Sequence, residues 1–252
     1  MRNLLITMRY DGSAYHGWQV QQNAVTVQQV FQDSIEKLTG VRENVTGCSR
    51  TDSGVHALMY CCNFRTNSKI PCERMPFALN AHLPDDISVY DCREVPDDFH
   101  ARYSCTSKRY IYKIWNTPFR NPFYNGKYLV YPKKLDEEQL DRAAKSFIGT
   151  HDFCGFASSG GSVEDTVRTV TYCGVRRCGD EVFFEVEADG FLYNMVRIMV
   201  GTVLSVAEGR IDALCIPDII ESKDRERAGF TAPAHGLYLK EVNYGGEKEK
   251  KE

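Results

Sequence analysis

The segment Arg50-Thr51-Asp52-Ser53-Gly54-Val55-His56 sets a carboxylate, a guanidinium and an imidazole in one turn between two predicted strands. A loop held by strands at both ends can keep a carboxylate in a fixed place, and Gly54 permits a backbone angle that a β-carbon opposes. Arg50, two residues before Asp52, could touch a phosphate or keep that carboxylate ionised. Asp52 with His56 could also do hydrolytic acid–base work, an idea that rests on their proximity in sequence alone. The commoner use of an Asp in such a turn is to hydrogen-bond its own backbone, and a lone histidine entering a strand is more often satisfied internally. The residues by themselves leave these readings open.

Two other features carry chemistry. In Asn194-Met195-Val196-Arg197-Ile198-Met199 one guanidinium stands in an otherwise apolar stretch. Buried, it would need a partner, and a carboxylate such as Asp52 would serve; on the solvent edge of an amphipathic helix it would need none. From Phe99 to Lys134 there is no Asp or Glu, while Arg102, Lys108, Arg109, Lys113, Arg120, Lys127, Lys133 and Lys134 are interleaved with tyrosines, phenylalanines and Trp115. Basic groups reach phosphates and aromatic faces stack on bases, which suits a polynucleotide; a strand with aromatics inside and lysines in solvent gives the same pattern. His151-Asp152 is a weaker pair, because neighbours on an extended segment point to opposite faces. Phosphate-loop, dinucleotide and serine-hydrolase glycine motifs are missing from the sequence.

The elements that must position these residues follow from periodicity. Residues 4–10 read as a strand. Thr26 opens a helix with Val27, Val30, Phe31, Ile35 and Leu38 on one side, stopped by Gly40. Strands are predicted from Val45 and over Ala57 to Phe64, and loop, strand and loop between Pro84 and Pro96. A second round begins with Tyr110, Tyr112 and Ile114 alternating. A helix from Asp136 to Ile148 follows, then a hairpin of Thr166–Arg176 and Glu181–Ala188, the longest helix over Phe191 to Glu208, and a closing strand from Gly236 to Tyr244. Two α+β subdomains with mainly antiparallel strands are expected: 1–103 with the Asp loop, 104–244, and a charged, disordered tail over 245–252.

With 252 residues, 42% hydrophobic and 26% charged, the chain needs no disulfide or structural metal to build a core. Its formal charge of −3 excludes a simple polycation, so the acid-free stretch implies an uneven field with the remainder strongly acidic. Ten cysteines without a C-x-x-C suggest buried, inert thiols in a reducing compartment rather than a metal site. No apolar run suits a signal peptide or a membrane span, so a cytoplasmic location is expected.

The chain resembles the TruA family of tRNA pseudouridine synthases nearly end to end. The resemblance rests on Tyr10-Asp11-Gly12, Gly17-Trp18-Gln19, Thr26-Val27-Gln28, Arg50 to Ala57, Pro96 to Arg102, Arg109-Tyr110-Ile111-Tyr112, Met195-Val196-Arg197, Val200-Gly201 and Thr231 to Leu239. It implies the α+β pseudouridine synthase fold, two ferredoxin-like (RRM-like) subdomains sharing a mainly antiparallel sheet with flanking helices. It further implies a homodimer that acts without cofactor or metal on uridine at positions thirty-eight to forty of the tRNA anticodon arm. By motif match Asp52 is the catalytic aspartate, Tyr110 the active-site aromatic, Arg197 the basic partner of Asp52 and Leu237 an aliphatic wall beside the base. Arg50, His100, Arg102, Lys108 and Arg109 would lie along the RNA path.

The sequence departs from the family pattern at Cys48, Ser49 and Ser53, where smaller residues are usual, and at Ile198, where Asn is usual. An inactive RNA-binding protein of the same fold therefore stands beside the enzyme reading.

Overall fold

The computed structural model describes residues 1–161 and 163–245. Apart from Gly245, the expected tail lies outside them. In chain order the elements are β1 (Arg2–Tyr10), α1 (Val27–Thr39), β2 (Thr46–Gly47), β3 (His56–Thr66), α2 (Met75–Asn80) and β4 (Ile87–Val95). They continue with β5 (Cys105–Trp115), β6 (Leu129–Val130), α3 (Glu137–Lys145), β7 (Gly149–Asp152), β8 (Val167–Cys178) and β9 (Glu181–Ala188). The chain then forms α4 (Met195–Ala207), α5 (Ile216–Ser222) and β10 (Leu237–Tyr244). The fold is α+β, and its contacts divide it into two compact units: Met1–Lys108 with the described residues from Leu239, and Arg109–Tyr238.

In the first unit the strands run in the order β4, β1, β3, β10. β1 is antiparallel to both neighbours, with Leu4 opposite Phe64 and Met8 opposite Tyr60 on one side and Ile6 opposite Cys92 on the other. A central strand is covered on both faces, which is why Leu4-Leu5-Ile6 is continuously apolar. α1 begins where Thr26 accepts a hydrogen bond from the Gln29 amide at 3.4 Å and ends at Gly40, whose φ of +75° is left-handed. Its Phe31 meets Phe64 edge-on at 6.3 Å. Thr26→Ala should lower stability by about 1 kcal/mol, read as a lower urea midpoint with an unchanged slope.

In the second unit the order is β5, β9, β8, β7, with β6 parallel to β5. The expected hairpin is β8 and β9, and its turn uses Gly179 at φ +59°. Ile114, Val175, Val182 and Phe184 of this sheet face Leu140 of α3 and Val200, Val203 and Leu204 of α4. Their strand neighbours Ile111 and Phe183 point the other way and gather with Tyr238 and Tyr128, as period-two alternation requires.

Three expectations change. The helix expected from Phe191 starts only at Met195, because Asn194 adopts φ +62°; α4 and α1 are both 13 residues long, so α4 is not the longest. The helix expected over 136–148 is shorter: Asp136 caps it through the amides of Glu138 and Gln139, and Gly149 begins β7. The thiols are not uniformly buried, since Cys154, Cys178 and Cys215 are exposed, and all ten cysteines are free. No helix among the described residues is long and apolar enough to cross a membrane.

Candidate functional site

In the first unit Asp52 lies on the loop between β2 and β3, and the groups around the loop backbone fix it. The Thr51 carbonyl accepts from the Trp18 amide at 3.2 Å, and the Thr51 hydroxyl shares a hydrogen bond with the Tyr10 hydroxyl at 2.9 Å. The Gly54 amide and the Ser53 hydroxyl both donate to the Tyr15 carbonyl, at 3.2 and 3.4 Å, and the Val55 amide donates to the Asp52 carbonyl at 3.1 Å. Gly54 stands at φ +78°, the conformation expected of it. Two earlier glycines let the chain come this close. A β-carbon on Gly12 would lie 2.0 Å from the Val55 oxygen, and one on Gly17 would lie 2.2 Å from the Thr51 oxygen.

Behind the loop Trp18 stacks on Tyr60 at 4.1 Å, and the Tyr60 hydroxyl donates to the Ser49 carbonyl at 2.5 Å. Burial pushes the Tyr60 phenol well above its ordinary pKa, so it stays protonated as the donor. The Tyr15 hydroxyl donates to Asp86 at 2.5 Å; burial first, and then that carboxylate, raise the phenol in the same way. In the sequence Tyr10, Gly12, Gly17 and Trp18 stand in motifs that give no sign of this work, and nothing marks Tyr15 or Tyr60. Asp52 itself is half-buried and Arg50 is exposed. Cys48 is fully buried, and Ser49 and Ser53 are absorbed into the loop's own hydrogen bonds.

His56 is 1% exposed. Its Nδ1 accepts the Gly12 amide and lies 3.0 Å from the Asp11 carboxylate. That is a satisfied strand histidine, and it removes the support for a hydrolytic pair with Asp52. His100, Arg102 and Tyr103 form a surface cluster: the His100 and Tyr103 rings lie 4.3 Å apart, the Arg102 guanidinium is 5.7 Å from the Tyr103 ring, and Tyr103 is 76% exposed. Lys108, by contrast, is buried.

In the second unit Tyr110, Arg197 and Leu237 come from β5, α4 and β10. Tyr110 is buried with its ring edge-on to Phe191 at 5.0 Å. Arg197 donates from Nε to the Ala232 carbonyl at 2.7 Å and from Nη1 to the Asn194 side-chain oxygen at 2.8 Å. Asn194 in turn donates to the Ser158 hydroxyl at 2.9 Å. The guanidinium is thus aimed by two fixed oxygens, which answers whether it lies on an apolar face: it is half-buried and oriented. The segment before Leu237 is tied to the same framework, since the Tyr112 hydroxyl donates to the Pro233 carbonyl at 2.7 Å. A β-carbon on Gly236 would lie 2.6 Å from the Tyr112 ring. Burial, with the Arg197 charge adding to it, lowers the pKa of His235, so it brings no second cation at neutral pH. Ile198 is fully buried, so the apolar side chain at this position serves the core.

The acid-free stretch is less uniformly available than its composition suggests. Arg120, Lys133 and Lys134 are exposed. Arg109 is paired with Glu187 at 2.5 Å. Lys113 lies 3.9 Å from the Tyr238 ring centre, and burial lowers its pKa. His151 and Asp152 are both engaged in local contacts, His151 with the Ile148 carbonyl and Asp152 with Thr166 and Lys223. No group of three or more His, Cys, Asp or Glu among the described residues could hold a metal ion.

Comparison with known proteins gives a family profile described as tRNA pseudouridine synthase, which matches residues 6–104 and 143–245. The chain is 51% identical over 246 residues to a Thermoanaerobacter sp. (strain X514) protein named tRNA pseudouridine synthase A, covering 97% of this chain and 100% of that one. It is 52% identical over 244 residues to the protein of that name from Acetivibrio thermocellus and 46% identical over 244 residues to that from Clostridium acetobutylicum. Each of these comparisons covers 97% of this chain and 100% of the relative.

Proposed function

The chain belongs to the tRNA pseudouridine synthase family, and from that premise we propose that it isomerises uridine at positions thirty-eight to forty of the tRNA anticodon arm. It is an isomerase that makes pseudouridine in tRNA; the position within the anticodon arm, the cytoplasmic location and the homodimer are parts of the proposal. The observation that carries it is the Asp52 loop, whose backbone is held by Tyr15 and Trp18 and by the close approach of Gly12 and Gly17, with Tyr10 fixing the Thr51 hydroxyl.

Breaking the glycosidic C1′–N1 bond and re-forming it at C5 needs a carboxylate that is ionised at neutral pH. Asp52 either attacks the sugar or takes its proton. Arg197 is assigned as the basic partner of Asp52. Tyr110 stacks on the uracil and relays the C5 proton, and Leu237 keeps water from the detached base. The reaction is redox-neutral and calls for no cofactor. The target base must leave its stack at a cost of a few kcal/mol. Arg50, His100 and Arg102 are assigned to the RNA path, where exposed Arg50 and Arg102 suit contact with phosphate. Lys108, expected on that path, is buried, and Arg109 is held by Glu187, so both are assigned instead to fixing the strand that leads to Tyr110.

The test is incubation with tRNA tritiated at uracil C5. Isomerisation must release the label to water, and mapping of the product should place pseudouridine at the three anticodon-arm positions. Binding without release would favour the inactive RNA-binding reading, and release with modification elsewhere would overturn the assigned positions.

A further inference from the structure

We propose that Asn194 is a positioning residue of the isomerisation, whose side-chain oxygen holds the Arg197 guanidinium in its working direction; the inference rests on the assignment of Arg197 to the reaction. Asn194 immediately precedes α4, and its carbonyl accepts the Ile198 amide at 3.0 Å, so it occupies the N-cap position. An Asn there ordinarily has an extended backbone and turns its side chain onto an amide of the first turn. Asn194 does neither. Its backbone is left-handed, at φ +62° and ψ +5°, and its side chain makes no capping hydrogen bond. Among the described residues Asn194 and Lys223 are the two that take a positive φ without being glycine.

The side chain is turned to Arg197 instead. Asn194 Oδ1 accepts from Arg197 Nη1 at 2.8 Å, and Asn194 Nδ2 donates to Ser158 Oγ at 2.9 Å. A guanidinium only donates, so the oxygen end of the amide must face it, and both ends of the Asn194 side chain are thereby fixed. Ser158 is held against the same segment, because its own amide donates to the Tyr193 carbonyl at 3.1 Å.

The contact at Nε is of a different kind. Arg197 Nε donates to the Ala232 carbonyl at 2.7 Å while the Ala232 amide donates to the Arg197 carbonyl at 3.0 Å, so backbone sets it. The segment carrying Ala232 is itself tied to α4, where the Gly229 amide donates to the Thr202 hydroxyl at 2.9 Å. One contact leaves a planar guanidinium able to swing about it, and a second at Nη1 stops that motion. Asn194 supplies this second contact from a side chain, at a position where helix capping is given up for it.

The experiment follows tritium release from C5-labelled tRNA in the full chain and its variants. Asn194→Gly keeps the left-handed backbone and removes the oxygen; it should lower kcat by roughly tenfold or more, with KM for tRNA within about twofold of the parent. Asn194→Asp tolerates the same backbone and returns an oxygen to Nη1, so kcat should recover to within about threefold of the parent. In an Arg197→Gln background, Asn194→Gly should change the rate by less than about twofold, because a residue that acts through Arg197 then has nothing to act on. The inference is overturned if Asn194→Gly keeps parental turnover, if Asp does not restore what Gly loses, or if the Asn194 and Arg197 losses multiply, which marks a merely structural role. Arg197→Gln alone keeps the two readings apart. Parental turnover in that variant removes Arg197 from the reaction, whereas a loss there beside an unaffected Asn194→Gly removes only Asn194.

Discussion

Asp52→Asn is expected to abolish tritium release, lowering kcat by at least roughly 10⁴-fold, while tRNA affinity stays within about threefold. The size follows from what the substitution removes. Asn keeps the shape of the side chain, and the contacts made by the Asp52 carbonyl and by Thr51, Ser53 and Gly54 do not depend on its charge. The folded loop should therefore survive, with a melting temperature within about 2 °C of the parent. Only the negative charge and its capacity to attack or to take a proton are lost, and neither role can be played by an amide. Arg197→Gln tests the proposed partnership: turnover should fall while tRNA affinity stays within about threefold. An Asp52→Asn protein that still released label at more than about a hundredth of the parent rate would remove Asp52 from the chemistry.

What could be read from the sequence was local. Thr26 and Gly40 bound α1 because capping and a left-handed stop depend on a few adjacent residues, and both act in the structure as expected. Gly54 likewise announced a special backbone angle. The start of α4 was misread because Asn194 takes a left-handed conformation while its side chain bridges Ser158 and Arg197, an arrangement set by residues up to 36 positions away. Charge was legible in amount but not in use: Arg109 is spent on Glu187, 78 residues later in the chain, and Lys108 turns inward. α2 and α5 are short and carry proline in their first turns, so neither gives a full amphipathic period. The framework of the Asp52 loop was the least visible part. A hydrogen bond from Trp18 to Thr51 and a stack of Trp18 on Tyr60 leave no periodic trace, and the glycines at 12 and 17 could as easily have marked ordinary turns.

Those glycines give the second large effect. Gly17→Ala should lower kcat by roughly 10²-fold while tRNA binding changes little. The added carbon would sit 2.2 Å from the Thr51 carbonyl oxygen and 3.1 Å from the Asp52 carbonyl carbon, and both are backbone atoms that cannot rotate away. The same oxygen accepts the Trp18 amide, so relieving the clash pulls apart the contact that sets the loop. A displacement of about 1 Å at the neighbouring carboxylate is enough to spoil alignment with a reacting bond. The left-handed conformation adds its own strain, and Gly40→Ala isolates that part. Gly40 has φ +75° against +81° for Gly17, and nothing lies within 4 Å of a β-carbon built on it. It should therefore cost about 1 kcal/mol of stability with no change in kcat. If Gly17→Ala behaves like Gly40→Ala, losing stability but not turnover, the close approach of Gly17 to Thr51 does not position Asp52. A selective loss of turnover at position 17 would instead locate the precision of the site in two backbones that only glycine lets meet.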